Sequence, residues 1–296
     1  MANEDILVVD LGFSSAKYIF GEKKGRVPSA FRSKIGGYLY GEDAMVKSGS
    51  SYLKTPAELI RHYPEFVKIC KERAGAEGSV TLAVGLPYLF WEQESRAGGA
   101  VGQLKSLLSE MDGVDGAHVL PQGLGGIKAY LKSTDITDDG NILAVDIGFN
   151  TVIFTLFSRK SGGIIYGNTF NKRGIHQMAV EHVLPRIVHL APARTFTPLE
   201  ISILVERGEM QYSFDTFDIR GEVQAAAHEY VKAVLDDIYG EIEAEAGTHA
   251  TISTLLLFGG GAALLSGSLP GNSKFTILDE PEYANARGFS LIAGDL

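Results

Sequence analysis

Two short acidic segments contain the residues best suited to chemistry. The first, at 6–15, reads ILVVDLGFSS, and the second, at 142–151, reads ILAVDIGFNT. Six of the ten positions are identical, and the segments lie 136 residues apart in a chain of 296 residues. A repeat at about half the chain length predicts two homologous halves.

Each segment combines residue types that bind phosphates and a metal ion. An aspartate, Asp10 or Asp146, ends an apolar run, and a glycine follows two positions later. Mg²⁺ takes carboxylates from proteins together with phosphates and water, and glycine lets backbone N–H groups approach phosphate oxygens. Lys17 can neutralise a phosphate. Small polar side chains at the same places can donate further hydrogen bonds: Ser14, Ser15, Asn150 and Thr151.

A third segment, 255–262, reads LLLFGGGA. A buried strand that ends in Gly259, Gly260 and Gly261 before a helix suits a nucleotide base or phosphate. The glycines alone are equally typical of a flexible turn. A single acidic hairpin is likewise typical of an ordinary tight turn, so the interpretation depends on the duplication.

The elements around these segments alternate between strands and helices. Apolar stretches at 16–20 and 152–157 complete two β-hairpins, and further strands are predicted at 79–86, 117–120 and 254–258. Capping boxes at 55–58 and 197–200 begin helices, the first of which Pro64 is expected to break in two. Other helices are predicted at 94–111, 122–131, 174–190 and 219–246. Another is predicted to start at 262–265, and a last one follows Pro281 and ends near Gly294. This alternation predicts an α/β protein with a central cleft.

Composition limits the partners. The net charge of −9 argues against direct binding to nucleic acid, although a basic adaptor could still link the protein to DNA. The single cysteine, Cys70, is expected to be a buried helix thiol, which fits a reducing cytoplasm. We expect no signal peptide, no membrane span and no amphipathic membrane anchor at the final LIAGDL.

The order of these motifs resembles the actin/sugar-kinase/Hsp70 superfamily. The corresponding segments are a first hairpin at 10–17, a connecting helix at 121–131, a second hairpin at 146–151, the glycines at 259–261 and a second connecting helix at 281–294. Within that superfamily the chain looks most like the bacterial plasmid-segregation proteins of the ParM/StbA type. Its compact length and the segments YLKTPAEL (52–59), VLPQ (119–122) and YGNT (166–169) point there.

The resemblance implies an α/β fold of duplicated ribonuclease-H-like (actin-like) halves around a central nucleotide cleft. The predicted domains are 1–135, with a small insertion at about 36–78, and 136–296, with an insertion at about 174–250. The polar stretch 135–140 is the expected boundary, and the C-terminal helix is expected to pack back toward the cleft.

The resemblance also implies residue roles. Asp10 and Asp146 would hold Mg²⁺, and Gln122 would position the attacking water with Asp146 as the other catalytic residue. Because an amide cannot be a strong base, hydrolysis is expected to be slow. The β-phosphate would be contacted by Gly12, Ser14, Ser15 and Lys17, and Phe13 would belong to the nucleotide-binding residues of the same hairpin. The γ-phosphate would be contacted by Gly148, Asn150 and Thr151, and Phe149 would belong to the nucleotide-binding residues of that hairpin. Gly259, Gly260 and Gly261 would contact the adenosine, and Glu206 the ribose.

Some of these positions have alternatives or depart from the family. Gln122 could be a surface amide at a helix start, and Glu206 a solvated helix carboxylate. Phe13 and Phe149 make both hairpin tips bulkier than is usual in the family, and Ile153 stands where the family often has a polar group.

The implied function is a Mg-dependent ATPase whose polymerisation into filaments moves plasmid or other DNA through a DNA-binding adaptor. GTP stays open as the nucleotide. Two other functions also stay open. One is a small-molecule kinase, which would need an acceptor-activating carboxylate that the cleft segments do not show. The other is a non-hydrolysing actin-like scaffold.

Overall fold

The computed structural model describes residues 5–46, 50–97, 99–134, 139–196, 198–247, 251–265 and 275–295. The chain forms two compact units. The first unit contains Met1–Asp138 and Leu278–Leu296, and the second contains Asp139–Ile277. The sequence predicts 278–296 as part of the second domain, whereas the structure places it in the first unit. Most of the predicted boundary, 135–138, lies outside the described residues.

The first unit is built on a five-stranded sheet. Three antiparallel strands form a meander, and two further strands add parallel to the first, in the order β3-β2-β1-β7-β8. The strands are β1 (Ile6–Leu11), β2 (Ser15–Phe20), β3 (Lys23–Pro28), β7 (Val80–Leu86) and β8 (Val114–Pro121).

The second unit repeats this topology. Its sheet has the order β11-β10-β9-β14-β15, again with an antiparallel meander followed by two parallel strands. The predicted duplication is therefore present in the fold. The strands are β9 (Asn141–Ile147), β10 (Thr151–Ser158), β11 (Gly163–Asn171), β14 (Ile252–Phe258) and β15 (Phe275–Ile277).

The insertion in the first unit is a small sheet with two helices. Helix α2 begins with the predicted capping box, in which Thr55 and Glu58 bond each other's backbone N–H groups. The predicted break at Pro64 is wrong, because α2 continues through it. Leu59, Tyr63, Phe66, Val67 and Cys70 are buried along its length, and this burial outweighs the lost helical hydrogen bond. The elements are β4 (Ala30–Lys34), β5 (Gly37–Tyr40), α1 (Glu42–Met45), β6 (Ser51–Tyr52) and α2 (Pro56–Ala74).

Four more of the described helices belong to the first unit. The single helix predicted at 94–111 is wrong, because two helices occupy this stretch and the non-helical Gly99 precedes the second. The last helix follows a 3₁₀ turn at Pro281–Tyr283, and its apolar residues cover Ile6, Val8 and Ala83 on one face of the sheet. The helices are α3 (Tyr88–Ala97), α4 (Ala100–Ser109), α5 (Leu124–Ser133) and α11 (Ala284–Gly294).

Helices also complete the second unit. The helix predicted at 174–190 is helical but irregular, with a π turn at Ala179–Val183 just before Pro185, which cannot donate to an α-helical ladder. Helix α9 has the predicted buried stripe. The capping residue Thr197 lies outside the described residues. The elements are α6 (Ile175–Met178), α7 (Leu184–Ile187), α8 (Pro198–Arg207), β12 (Glu209–Tyr212), β13 (Asp215–Asp218), α9 (Arg220–Ala246) and α10 (Ala262–Leu265).

Among the described helices, none combines the length and the apolar character needed to cross a membrane.

Candidate functional site

The two repeated segments fold into the same hairpin turn. In the first unit, the Gly12 N–H donates to the Ser15 carbonyl at 3.1 Å. In the second unit, the Gly148 N–H donates to the Thr151 carbonyl at 2.9 Å. Each turn links two antiparallel strands, and the glycine that starts it lies two positions after a buried aspartate. The sequence identity of the segments therefore reflects identical local geometry.

Asp10 is a buried carboxylate near the end of β1. Its side chain is 4% exposed, and its Oδ1 accepts a hydrogen bond from the Gln122 Nε2 at 2.7 Å. Burial raises the pKa of Asp10, while the nearby Lys17 ammonium and the Gln122 hydrogen bond act in the opposite direction. Lys17 and Gln122 thus offset only part of the cost of burying the ionised Asp10 carboxylate.

Gln122 directly follows β8, the edge strand that lies two strands away from β1 in the first-unit sheet. Its backbone N–H donates to the carbonyl of Leu86 at the end of β7, at 2.7 Å. The side chain is buried, and its Oε1 has no hydrogen-bond partner among the described residues. The amide can therefore bind the carboxylate through nitrogen and accept a hydrogen bond from a water through oxygen.

Lys17 turns back over the tip of the first hairpin. It lies opposite Asp10 in the β1–β2 ladder, and a Cβ built on Gly12 would come within 3.2 Å of the Lys17 Nζ. Ser14 and Ser15 are half-buried at this tip. The Phe13 side chain is 6% exposed and packs into the core of the first unit. The sequence predicts a bulky tip, but the Phe13 ring lies in the core. Only the backbone of Phe13 therefore lies at the tip of the hairpin.

Asp146 occupies the corresponding place in the second unit. It is 8% exposed and lies beside Phe258, the last residue of β14, in the parallel ladder. A Cβ on Gly259 would lie 2.1 Å from the Asp146 Oδ1, so only glycine leaves room for this carboxylate. Opposite Asp146 in the β9–β10 ladder is Ile153, where the first hairpin has a lysine.

The tip of the second hairpin rests on the start of α6. The N–H groups of Ile175 and His176 donate to the carbonyls of Gly148 and Phe149, at 3.1 and 2.9 Å. The half-buried Phe149 ring packs 5.2 Å from the His176 ring. Thr151 is buried, and Asn150 is half-buried.

The three glycines after β14 have different environments. Gly259 has a φ of +89° and packs against Asp146, and a Cβ on Gly261 would meet the Ile175 side chain at 2.4 Å. Gly260 is exposed, and a Cβ added there would meet no described atom within 4 Å. Close packing therefore explains why positions 259 and 261 are glycine, whereas the backbone of Gly260 is exposed.

Glu206 is not brought to these residues by any recorded contact. It lies exposed on α8 and has no hydrogen bond or ion pair with the described part of the chain. Its predicted contact with a ribose stays a prediction.

Sequence reasoning missed two residues that hold the first hairpin. The buried Ser29 donates its hydroxyl to the Gly12 carbonyl at 2.6 Å, and its N–H donates to the Ser14 carbonyl at 2.9 Å. The Tyr63 hydroxyl donates to the Val9 carbonyl at 2.8 Å and accepts from the Leu11 N–H at 3.3 Å. It therefore contacts β1 on both sides of Asp10. A local pattern does not reveal either role, because each depends on long-range packing.

The residues of the first hairpin fit a hydrated divalent cation. Burial raises the pKa of Asp10, so its ionised carboxylate needs a positive partner. A bound cation can take this role in place of a proton. The hydroxyls of Ser14 and Ser15 at the neighbouring tip suit the phosphate oxygens that accompany Mg²⁺ in proteins, and Gly12 adds no side chain there. Asp146 supplies the equivalent carboxylate in the second unit.

Comparisons with known proteins identify the fold. No protein-family model matches the chain, and no curated protein matches it either. Solved structures do match. A 15-stranded ParM filament from Clostridium botulinum has a TM-score of 0.71 and 17% identity, covering 99% of this chain and 100% of that chain. An archaeal actin homolog in complex with ADP has a TM-score of 0.77 and 14% identity, covering 98% and 99%. Bacillus thuringiensis ParM with ATP has a TM-score of 0.62 and 12% identity, covering 97% and 98%.

When the strands of each sheet are numbered in chain order within their own unit, both sheets have the order 3-2-1-4-5. The similarity to these solved structures extends over nearly the whole chain. This chain therefore has the actin-like fold of the ParM type.

Proposed function

We propose that this chain is an actin-like ATPase that forms filaments in response to its nucleotide. The observation that supports the proposal most is the duplicated hairpin, with a buried aspartate before the same glycine turn in each unit. One such turn has many uses, but two copies in a fold shared with a ParM bound to ATP and an actin homolog bound to ADP favour nucleotide binding.

In this proposal the first hairpin binds the β-phosphate and the second the γ-phosphate. Gly12 has no side chain that would block a phosphate, the hydroxyls of Ser14 and Ser15 donate hydrogen bonds to it, and the Lys17 ammonium neutralises charge. Gly148, Asn150 and Thr151 act similarly on the γ-phosphate. Asp10 and Asp146 would hold Mg²⁺, which when bound neutralises the charge that develops on the phosphate oxygens. The open backbone at Gly260 is available to the nucleoside.

Gln122 is the residue that we assign to the attacking water. Its Nε2 is fixed on Asp10, and its Oε1 is available to accept a hydrogen bond from a water. An amide orients water without removing its proton, so we expect slow turnover. Nothing in either hairpin distinguishes adenine from guanine, and we propose ATP as the main nucleotide with GTP as a substrate to be tested.

Two exposed tips support the filament part of the proposal. Ile35, at the β4–β5 turn, and Phe214, at the β12–β13 turn, are fully exposed at 104% and 103%. Each inserted segment thus has a fully exposed large apolar side chain at a turn. The ParM from Clostridium botulinum was solved as a filament, and we propose that these tips contact neighbouring copies of this chain. Movement of plasmid or other DNA in the cytoplasm, through a basic adaptor, is the cargo function that fits the net charge of −9.

Electron microscopy of the purified protein tests the proposal. Samples with Mg-ATP, Mg-ADP and a non-hydrolysable ATP analogue are compared at the same protein concentration. We expect filaments with ATP and the analogue and none with ADP, together with ATP-dependent phosphate release. Protein that stays monomeric with Mg-ATP at high concentration contradicts filament formation, and phosphate transfer to a sugar or acid in a substrate screen indicates a kinase instead.

A further inference from the structure

We propose that Asn285, in the first turn of α11, is a positioning residue that holds Gln122 in place through the start of α5. This inference rests on the proposed ATPase function for its kinetic consequence. Its structural part, a link between Asn285 and the Gln122 side chain, can be tested without turnover.

Asn285 binds the backbone at the start of α5. Its side chain is buried, with 4% exposed, and its Oδ1 accepts hydrogen bonds from the Gly123 N–H at 3.0 Å and the Gly126 N–H at 3.4 Å. These two residues are more than 150 positions away in the chain. The acceptor that the first turn of α5 needs is therefore supplied by another helix.

Helix α5 has no cap of its own. Its N-cap residue is Gly123, which has φ 96° and ψ −48° and offers no side-chain acceptor. Helix starts leave N–H groups unpaired, and a side-chain oxygen from Asn, Asp, Ser or Thr usually satisfies one of them. Asn285 performs this task from α11, and it fixes Gly123 in a backbone conformation that favours glycine.

The two helices meet at backbone contact, so α11 cannot shift without moving α5. A Cβ on Gly288 would lie 1.8 Å from the Gly125 carbonyl oxygen, and a Cβ on Gly125 would lie 2.4 Å from the Asn285 carbonyl oxygen. Substitution at either glycine would force the helices apart. The cap therefore sits within a tightly packed crossing.

The residue just before this cap is Gln122. The Gln122 N–H donates a hydrogen bond to the Leu86 carbonyl. On the C-terminal side of Gln122, the Gly123 N–H donates to the Asn285 Oδ1. Both bonds fix the backbone that carries the Gln122 side chain. The side chain then reaches Asp10 Oδ1. Loss of the Asn285 acceptor would release the C-terminal side, and the amide would no longer keep one orientation toward a water.

A double-mutant cycle tests this link kinetically. We expect Asn285→Ala to lower kcat about tenfold with KM for ATP changed less than about threefold, because the loss concerns orientation rather than binding. In a Gln122→Ala background, Asn285→Ala should change kcat less than about twofold, because the group through which it acts is gone. Equal effects of Asn285→Ala in the two backgrounds would overturn the proposal.

Ala286→Gly is the matched control. Ala286 is fully buried next to Asn285 in the same helix and packs against Ile6, Val8 and Ala83, so its loss weakens α11 without removing the cap. We expect it to lower the Tm by an amount similar to Asn285→Ala and to leave kcat unchanged. If Ala286→Gly lowers kcat as much as Asn285→Ala, the effect is general loosening and the positioning role is refuted.

A second measurement, by nuclear magnetic resonance, does not depend on ATP hydrolysis. If the wild-type protein does not hydrolyse ATP, the proposed function fails, and this measurement still tests the link between Asn285 and the Gln122 side chain. In isotope-labelled protein, the side-chain amide resonances of Gln122 are assigned by their loss in Gln122→Ala. We expect Asn285→Ala to shift or broaden them and Ala286→Gly to leave them in place. Unchanged Gln122 amide resonances in Asn285→Ala would overturn the link.

Discussion

Lys17 lies opposite Asp10 in the β1–β2 ladder, with its ammonium turned over the tip of the hairpin. The equivalent position in the second hairpin is Ile153, opposite Asp146. The two hairpins thus share a turn but differ in charge. At this ladder position the first hairpin has a cation and the second an apolar side chain, so we expect Lys17 to contribute more than Ile153 to phosphate neutralisation.

This asymmetry predicts different effects of two matched substitutions. Lys17→Met should weaken Mg-ATP binding by about tenfold or more, because a desolvated charge pair with phosphate is lost. Ile153→Met keeps an apolar side chain of similar size and should change the affinity less than about twofold. Isothermal titration calorimetry at one salt concentration measures both. Equal losses in the two variants would show that the Lys17 charge does not act on the nucleotide.

Asp10 predicts a stability that depends on pH. Burial raises the pKa of Asp10 above its ordinary value of 3.8, so the folded nucleotide-free protein disfavours the ionised form. The stability from this group is fully present below the ordinary value and is lost as pH rises through the raised pKa. Asp10→Asn should therefore raise the Tm of the nucleotide-free protein at pH 7, by about 2–4 °C for each kcal/mol gained.

The sign of this effect can be checked by lowering the pH. The Tm advantage of Asp10→Asn should shrink as pH falls from 7 toward 4, because the wild-type carboxyl then becomes protonated. Thermal unfolding followed by circular dichroism at several pH values gives the difference. A Tm advantage that stays constant over this range would mean that ionisation of Asp10 is not its cause.

The glycines after β14 provide a matched pair. At Gly259, φ is +89° and an added Cβ would lie 2.1 Å from the Asp146 Oδ1, whereas Gly260 has open space. Gly259→Ala should displace Asp146, cost about 1–3 kcal/mol of stability and weaken Mg-ATP binding at least about tenfold. The free energy of unfolding of Gly260→Ala should lie within about 0.5 kcal/mol of the wild-type value. Chemical denaturation and nucleotide titration measure the two effects, and a wild-type affinity in Gly259→Ala would argue against a role for Asp146.

The Tyr63 hydroxyl should contribute stability through the strands that flank Asp10. It contacts Val9 and Leu11 on β1 and both backbone groups of Gly85 on β7, at 3.1 Å. Tyr63→Phe leaves these buried groups with fewer partners and should cost about 1–3 kcal/mol of unfolding free energy. Tyr130→Phe is the control, because no hydrogen bond of its hydroxyl is recorded in the described chain, and it should cost less than about 0.5 kcal/mol. Similar costs for the two variants would contradict this role.

The exposed tips at Ile35 and Phe214 predict variants that bind nucleotide but do not assemble. Ile35→Asp and Phe214→Asp place a charge on a fully exposed side chain, so the folded monomer should keep its Tm and its affinity for Mg-ATP. Filament mass in a sedimentation assay should fall at least about tenfold, since a buried charge in a contact between copies is costly. Normal sedimentation of both variants would exclude these tips from the filament contact.

The sequence predicted the parts of the fold that depend on local patterns. The repeat at 6–15 and 142–151 predicted both hairpins, and the apolar stripe of α9 predicted that helix. The capping box at Thr55 was also confirmed, because its two hydrogen bonds join residues three positions apart. In each case the physical cause lies within a few residues.

Features set by long-range packing were not predictable in the same way. The sequence predicts that Pro64 breaks the helical run in two, but the buried side chains around it keep α2 continuous. The C-terminal segment was assigned to the second half, and the close approach of Gly125 and Gly288 places it in the first unit instead. Phe13 illustrates the same limit at the site, since the sequence cannot show that its ring turns into the core.

The central claim is that Asp10 and Asp146 are each needed for binding of the Mg-nucleotide. Calorimetric titration of Mg-ATP into the wild type, Asp10→Asn and Asp146→Asn tests it most directly, with a stability measurement to confirm that each variant is folded. We expect one nucleotide per wild-type chain and a loss of affinity of at least about a hundredfold in each variant. A folded Asp146→Asn or Asp10→Asn protein that binds Mg-ATP as tightly as the wild type would contradict the claim.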